Sequence, residues 1–240
     1  MTWLLTNDDG IDAPGLRALR QAVVQFWAAE SITKPVITVA PLHHHSGCSH
    51  QVTTHRPIQI EQRSEFEYAI DGTPADCIRI ALSHLQLQPE LVLSGINAGG
   101  NLGADIYVSG TVAAVREAAL YRLPGIAISH YIYQRRAIDW DRASKLTVGV
   151  LNALLSQFQS PDPNGGLWNV NLPHLEGDAP DPALVLASLC TQPLPAVYKS
   201  IETGALQYAG EYGKRQRDLG SDVEVCFSGN IAASRVQLWG

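Results

Sequence analysis

The feature that most limits the fold is an alternation. Short apolar or β-branched runs recur between longer segments of helical period. Trp3-Leu4-Leu5, Pro35 to Ala40, Leu91-Val92-Leu93, Ile126-Ala127-Ile128 and Trp168-Asn169-Val170-Asn171-Leu172 are the strand-like runs. Between the first two, residues 14–28 place Leu16, Leu19, Val23, Phe26 and Trp27 at helical spacing. Pro14 suits the first turn of that helix, where no amide donor is needed. A turn, Asp71-Gly72-Thr73-Pro74, opens a second helix with Cys77, Ile78, Ile80, Ala81, Leu82 and Leu85 as its apolar residues. Residues 111–122 form a third, stopped before Pro124, and residues 139–158 a fourth, followed by a loop over 160–166. Strands that alternate with helices predict an α/β fold with a mainly parallel, doubly wound sheet.

Two stretches fall outside this rhythm. Residues 53–70 carry the short alternating runs 57–60 and 66–70, which read as a small β-hairpin excursion. Beyond residue 175 the pattern weakens, with strand-like pieces at 183–187, 206–208, 223–227 and 235–239. A chain of 240 residues suits one such domain with a large core. The expected layout is a single domain over 1–240, with the α/β core in 1–175 and a β-rich or extended region in 176–240.

Asn7-Asp8-Asp9-Gly10 directly follows the first apolar run. Adjacent carboxylates repel each other and stay ionised at low cost only beside a cation. Asn, Asp and Gly are also ordinary turn residues, so an acidic turn without a metal is the plain alternative. In open α/β sheets, ligands bind beyond the carboxyl ends of the strands. Ser46 lies after the second strand and Asn97 after Leu91-Val92-Leu93, so neighbouring strands would bring both to Asp8 and Asp9. Two carboxylates, an amide carbonyl and a hydroxyl are an all-oxygen set that suits Mg²⁺ or Mn²⁺.

The stretch from Ser94 to Asp105 has four glycines, Gly95, Gly99, Gly100 and Gly103, and three of the neighbouring residues are Asn or Asp. It leads through Ser109-Gly110-Thr111 into the third helix. A helix start with free amides and hydroxyls is a ready phosphate site, although Ser and Thr also cap helices with no ligand present. No G-K-[ST] follows, so this is not a Walker A loop, and the glycine pattern is not that of a dinucleotide fold. No G-x-S-x-G elbow is present either.

Net charge of −6 argues against nucleic-acid polymers and anionic membranes as partners. No window approaches the ~18 uninterrupted apolar residues of a membrane span, and the N-terminus does not read as a signal peptide. Cys48, Cys77, Cys190 and Cys226 form no C-x-x-C pair, which fits reduced, mostly buried thiols in a cytoplasmic protein. His43-His44-His45 reads as a solvated polar loop, with zinc binding the weaker alternative. His50, His55, His84, His130 and His174 carry no motif.

Taken together, several stretches resemble the SurE family of metal-dependent nucleotidases. They are Leu4 to Gly10 with Ala13-Pro14-Gly15-Leu16, Ala40-Pro41 with Ser46-Gly47 and His50, and Gly72 to Cys77. The longest are Ser94 to Gly99 with Asn101, Gly103 and Asp105, and Tyr107 to Ala114; Asn169 to Pro173 also fits. The resemblance is strongest over the first 130 residues or so. It implies a three-layer α/β/α core with a Rossmann-like sheet and a phosphomonoesterase acting on nucleoside 5′-monophosphates, with 3′-monophosphates and short polyphosphate as further substrates. It implies one divalent metal on Asp8, Asp9, Ser46 and Asn97, with Asp8, Asp9 and Asn97 catalytic. The phosphate would meet Asn101, Ser109, Gly110 and Thr111. A homodimer or homotetramer, built through a hairpin and an exchanged C-terminal segment, is implied as well. Residues 206–240 depart from the family pattern: an aromatic-rich strand and a Thr-Pro-Leu ending are expected, and Cys226-Phe227-Ser228-Gly229-Asn230 stands there instead.

Two other readings compete. A receiver-like signalling domain also carries an acidic pair after its first strand. It needs a later Asp acceptor and a late Lys, but the third major strand leads into Asn97, and no Lys occurs between Lys34 and Lys145. A non-catalytic nucleotide-binding module is the second.

Overall fold

A computed structural model describes residues 2–32, 34–155 and 166–239. The first strand, β1 (Trp3–Thr6), is buried along its whole length. Its side chains alternate between two cores. Leu5 packs with α1 (Pro14–Ala29) and α4 (Trp140–Leu155) on one face. Leu4 packs with α2 (Pro74–Ser83) and α3 (Gly110–Leu120) on the other. This is the three-layer α/β/α arrangement that two-sided apolar strands require. Trp3 stacks on Phe26 at 5.6 Å and tilts against Trp27 at 5.3 Å, so one aromatic cluster fixes α1 to β1.

The sheet has nine strands in the order β3 (Ile60–Ser64), β4 (Glu67–Ile70), β2 (Val36–Pro41), β1, β5 (Leu91–Ala98), β6 (Gly125–His130), β7 (Leu167–Leu172), β11 (Ile231–Val236) and β8 (Leu184–Leu186). Its central strands are β2, β5, β6 and β7, all parallel with β1. The chain runs outward from β1 to β2 through α1, then returns through α2 to β5 on the opposite side of β1. Strand order therefore reverses at β1 and β5, and the crevice beyond their carboxyl ends is the switch point where doubly wound sheets bind ligands.

Several elements differ from the sequence reading. The expected hairpin is present as β3 (Ile60–Ser64) and β4 (Glu67–Ile70), and it is joined to the main sheet, because β4 pairs in parallel with β2. At the far end, β8 (Leu184–Leu186) and β11 (Ile231–Val236) also join it, with β11 antiparallel to β7. The strand expected at 235–239 thus begins at Ile231. Residues 223–227 are helical, as α5 (Asp222–Phe227), and not a strand. The only strand pair outside the main sheet among the described residues is the hairpin β9 (Tyr198–Glu202) and β10 (Ala205–Tyr208). The last residues expected in α4, and all but the end of the loop expected at 160–166, lie outside the described residues. Among the described residues, no helix is long and apolar enough to cross a membrane.

Candidate active site

The turn after β1 is closed by its own first side chain. Asn7 Nδ2 donates to the Gly10 carbonyl at 2.8 Å, and Gly10 takes φ +102°, a conformation open to glycine. This leaves Asp8 and Asp9 at the strand's carboxyl end. Asp8 is buried, and its Oδ1 accepts the Thr111 hydroxyl proton at 2.5 Å. Asp9 is less buried: its Oδ2 accepts the Ala98 amide at 3.0 Å, and its Oδ1 lies 3.2 Å from His44 Nδ1. The carboxylates thus reach two different neighbours, α3 and the end of β5.

Asn97, near the end of β5, donates its side-chain Nδ2 to the Gly99 carbonyl at 2.8 Å. The bond fixes the amide orientation and leaves Oδ1 as the uncommitted atom. Ser46 sits exposed on the loop after β2, and that loop is fastened to the turn by the His45 amide donating to the Asp8 carbonyl at 2.7 Å. Asp8, Asp9, His44, Ser46, Asn97, Asn101 and Ser109 line one cavity of about 400 Å³.

The start of α3 forms the far wall. Ser109 is its N-cap, and the Ser109 hydroxyl oxygen accepts the Val112 amide at 3.1 Å. That use of the oxygen leaves the hydroxyl proton free to donate into the cavity. The first amides of the helix have no intrahelical acceptor and carry the positive end of its dipole. Gly110 is required by proximity: a Cβ there would stand 2.8 Å from Asp8 Cβ and 3.0 Å from Cys48 Sγ. Thr111 is buried and its hydroxyl is committed to Asp8.

Asn101 also faces the cavity, but its Nδ2 donates to Ser129 Oγ at 2.8 Å and reaches Thr111 Oγ1 at 3.5 Å. Its backbone is gripped by β7: the Asn101 amide donates to Asn171 Oδ1, and its carbonyl accepts from Asn169 and Asn171. A strand pattern of Asn-x-Asn sets both side chains on one face, and that pattern was visible in the sequence.

One wall was not. Tyr212, in a 3₁₀ turn (Tyr212–Lys214), donates its hydroxyl to Asp105 at 2.5 Å and lines the same cavity. Arg215 donates to the same Asp105 oxygen at 2.8 Å and is fully buried there.

The electrostatics are unbalanced without a cation. Burial pushes the Asp8 carboxyl up to about 6; the Thr111 hydrogen bond opposes this, and Asp9 adds to it. Two carboxylates, an amide oxygen and a hydroxyl on one cavity are the donors a hard divalent cation takes. The residues present therefore fit such an ion. Among the described residues, His, Cys, Asp and Glu side chains form no group of three or more that could hold a metal ion. Burial lowers the His45 imidazole. All four cysteines are free, and Cys48, beside Asp8, is pushed up to about 11 by burial.

Fold and cavity together define a class: doubly wound α/β proteins with a charged ligand cleft at the switch point of the sheet. The chain belongs to the SurE survival protein family, whose sequence profile matches residues 3–192. A Nostoc sp. protein named as a provisional 5′-nucleotidase is 55% identical over 238 residues, covering 99% of this chain and 100% of the relative. A 5′-nucleotidase SurE of Burkholderia lata is 41% identical over 172 residues, 71% of this chain and 63% of the relative. The crystal structure of the SurE protein of Aquifex aeolicus superposes with a TM-score of 0.81 at 30% identity, covering 100% of this chain and 94% of that one. The C-terminal part that departs from the family pattern lies after residue 192, where the family match ends, yet the Nostoc relative aligns through it.

Proposed function

We propose that this protein is a metal-dependent 5′-nucleotidase, which hydrolyses nucleoside 5′-monophosphates to nucleoside and phosphate. The observation that carries the reading is the convergence of Asp8, Asp9, Ser46 and Asn97 on one cavity faced by the start of α3. The names of the relatives support the same activity.

Asp8, Asp9, Ser46 and Asn97 would hold one divalent ion, Mg²⁺ or Mn²⁺. Such an ion supplies Lewis acidity toward a phosphate oxygen and a more acidic water as nucleophile. The protein's own groups do the rest. Thr111 orients Asp8, and the Gly99 carbonyl orients Asn97. The Ser109 hydroxyl and the Gly110 and Thr111 amides face the phosphate and the charge that develops on it. Asn101 lines the cavity, but its amide protons are spent on Ser129 and Thr111, so its share is to hold the glycine-rich loop in place.

The same reading extends to 3′-monophosphates and short polyphosphate, and to a cytoplasmic homodimer or homotetramer. The exposed apolar residues Tyr198, Ile201, Leu206 and Tyr208 on the β9–β10 hairpin support an assembly of copies. The test is phosphate release from a panel of 5′- and 3′-mononucleotides and tripolyphosphate, with Mg²⁺, Mn²⁺ or EDTA. Release that depends on the metal supports the enzyme. A folded protein that releases none with either metal, yet binds nucleotide, is the non-catalytic module instead.

A further inference from the structure

Ser46 is the one proposed ligand on an irregular, exposed loop, so something must set its distance from α3. The loop has backbone anchors: the Ser49 amide donates to the Val108 carbonyl at 3.0 Å, and the Ser49 hydroxyl to the Tyr107 carbonyl at 2.8 Å. A hydrogen bond between side chains follows one residue further on. His50 Nε2 lies 2.6 Å from Glu117 Oε2, with the carboxylate as acceptor. The other Glu117 oxygen accepts Arg79 Nε at 2.6 Å.

Glu117 is on α3, two helical turns beyond Gly110 and on the same face of the helix. Its side chain is 1% exposed, against 23% for His50 and 42% for Arg79. A carboxylate buried to that degree is stable only when its oxygens are partnered. Burial raises the Glu117 carboxyl, but the bonds from His50 and Arg79 outweigh it and hold the group below its ordinary range. The carboxylate thus spans three elements: α2 through Arg79, the Ser46 loop through His50, and the helix whose first turn faces the cavity.

We infer that Glu117 and His50 are positioning residues that hold the Ser46 loop at its working distance from the start of α3. The inference rests on the nucleotidase reading for its kinetic consequence, but not for its structural one. Arg79 serves as the internal control, because it satisfies Glu117 from α2 and not from the loop.

The experiment compares wild type with His50→Ala, His50→Gln and Arg79→Ala. Hydrogen exchange in the metal-free protein reads the amides of residues 46–50, and calorimetry reads Mn²⁺ binding. Steady-state kinetics with adenosine 5′-monophosphate complete the set. Expected for His50→Ala are faster exchange confined to the loop and a loss of about 10–100-fold in Mn²⁺ affinity and kcat/KM, the range for residues that orient ligands. His50→Gln, which keeps a donor, recovers most of this. Arg79→Ala lowers the melting temperature without accelerating loop exchange. Unchanged loop exchange in His50→Ala, or equal loop effects in Arg79→Ala, overturns the inference. Wild type without activity, but with the exchange pattern intact, overturns the nucleotidase reading and leaves the positioning role standing.

Discussion

Thr111 donates its hydroxyl proton to Asp8 across 2.5 Å, joining residues 103 positions apart in the chain. The bond ties the end of β1 to the first turn of α3 and fixes which oxygen of Asp8 is engaged. Thr111→Val keeps the shape and deletes the donor. A hydrogen bond to a charged group contributes about 1.5–3 kcal/mol, so kcat/KM for a nucleoside monophosphate should fall about 10–100-fold. Circular dichroism should show the fold retained. Unchanged kinetics would mean that Asp8 is held by something other than Thr111.

Asp8→Asn separates stability from turnover. The Asp8 carboxyl is raised from 3.8 to about 6, so the stability it contributes is full below pH 3.8 and lost as pH rises through 6. In metal-free protein at pH 7 that loss is on the order of 3 kcal/mol. Asn carries no such charge. The variant should therefore melt several degrees higher than wild type in EDTA, while its metal-dependent phosphate release disappears. Full activity in the variant would sink the assignment of Asp8 as a ligand.

The core was legible because its strands are buried on both faces. Leu4-Leu5, Val92-Leu93 and Ile126-Ala127-Ile128 read as apolar runs for that reason, and they do lie at the centre of the sheet. The miss at Val223 to Phe227 has a physical cause. Val223 and Val225 favour strands, and a run this short has too few periods to tell helix from strand. What was present was the spacing of the buried pair Val223 and Cys226, three apart, behind the N-cap Ser221. The β9 strand was missed because all its residues are exposed and no core imposes an alternation on it. Asp8, Asp9, Ser46 and Asn97 could be grouped because each lies at the carboxyl end of a strand or in the loop beyond it. Tyr212 and Arg215 could not: they reach Asp105 from more than 100 positions away, and no local pattern marks that meeting.

Gly110→Ala sets two effects against each other. Ala restricts the unfolded chain more than Gly does, which stabilises by about 0.4–1 kcal/mol where the backbone conformation suits it. The new Cβ, however, would stand 2.8 Å from Asp8 Cβ, inside the distance real Cβ atoms keep. Overpacking of this kind costs about 1–3 kcal/mol, and the group that must shift is Asp8 itself. The variant should melt at or below the wild-type temperature and lose most phosphate release. A rise in melting temperature with activity intact would show that the wall at Gly110 is looser than its geometry.

Arg215→Leu tests the buried pair. Arg215 and Tyr212 both donate to Asp105, and the Arg215 side chain is 0% exposed. Removing the cation leaves a buried carboxylate with only Tyr212 and the Leu102 amide. Breaking one side of such a pair costs about 3–5 kcal/mol. Denaturant unfolding should show a loss of that order. The double variant Arg215→Leu with Asp105→Leu should recover part of it, because the uncompensated charge is gone. A single variant as stable as wild type would mean that water reaches Asp105.

His130 should shape the acid limb of the stability curve. Burial lowers its imidazole from 6.5 to about 4; the Tyr131 carbonyl, 2.8 Å from Nδ1, works against this, and His174 adds to it. A group whose folded value is depressed contributes stability that is full above pH 6.5. That stability is lost as pH falls from 6.5 toward 4, because the unfolded chain takes the proton first. The whole shift corresponds to a loss on the order of 3 kcal/mol. His130→Gln has no proton to take and should flatten that limb. Denaturant midpoints of both proteins at pH 7.5 and pH 4.5 measure it: wild type should lose more stability between the two than the variant, by at least about 1 kcal/mol. Parallel losses would show that some other group, and not the neutral ring at the end of β6, sets the acid sensitivity.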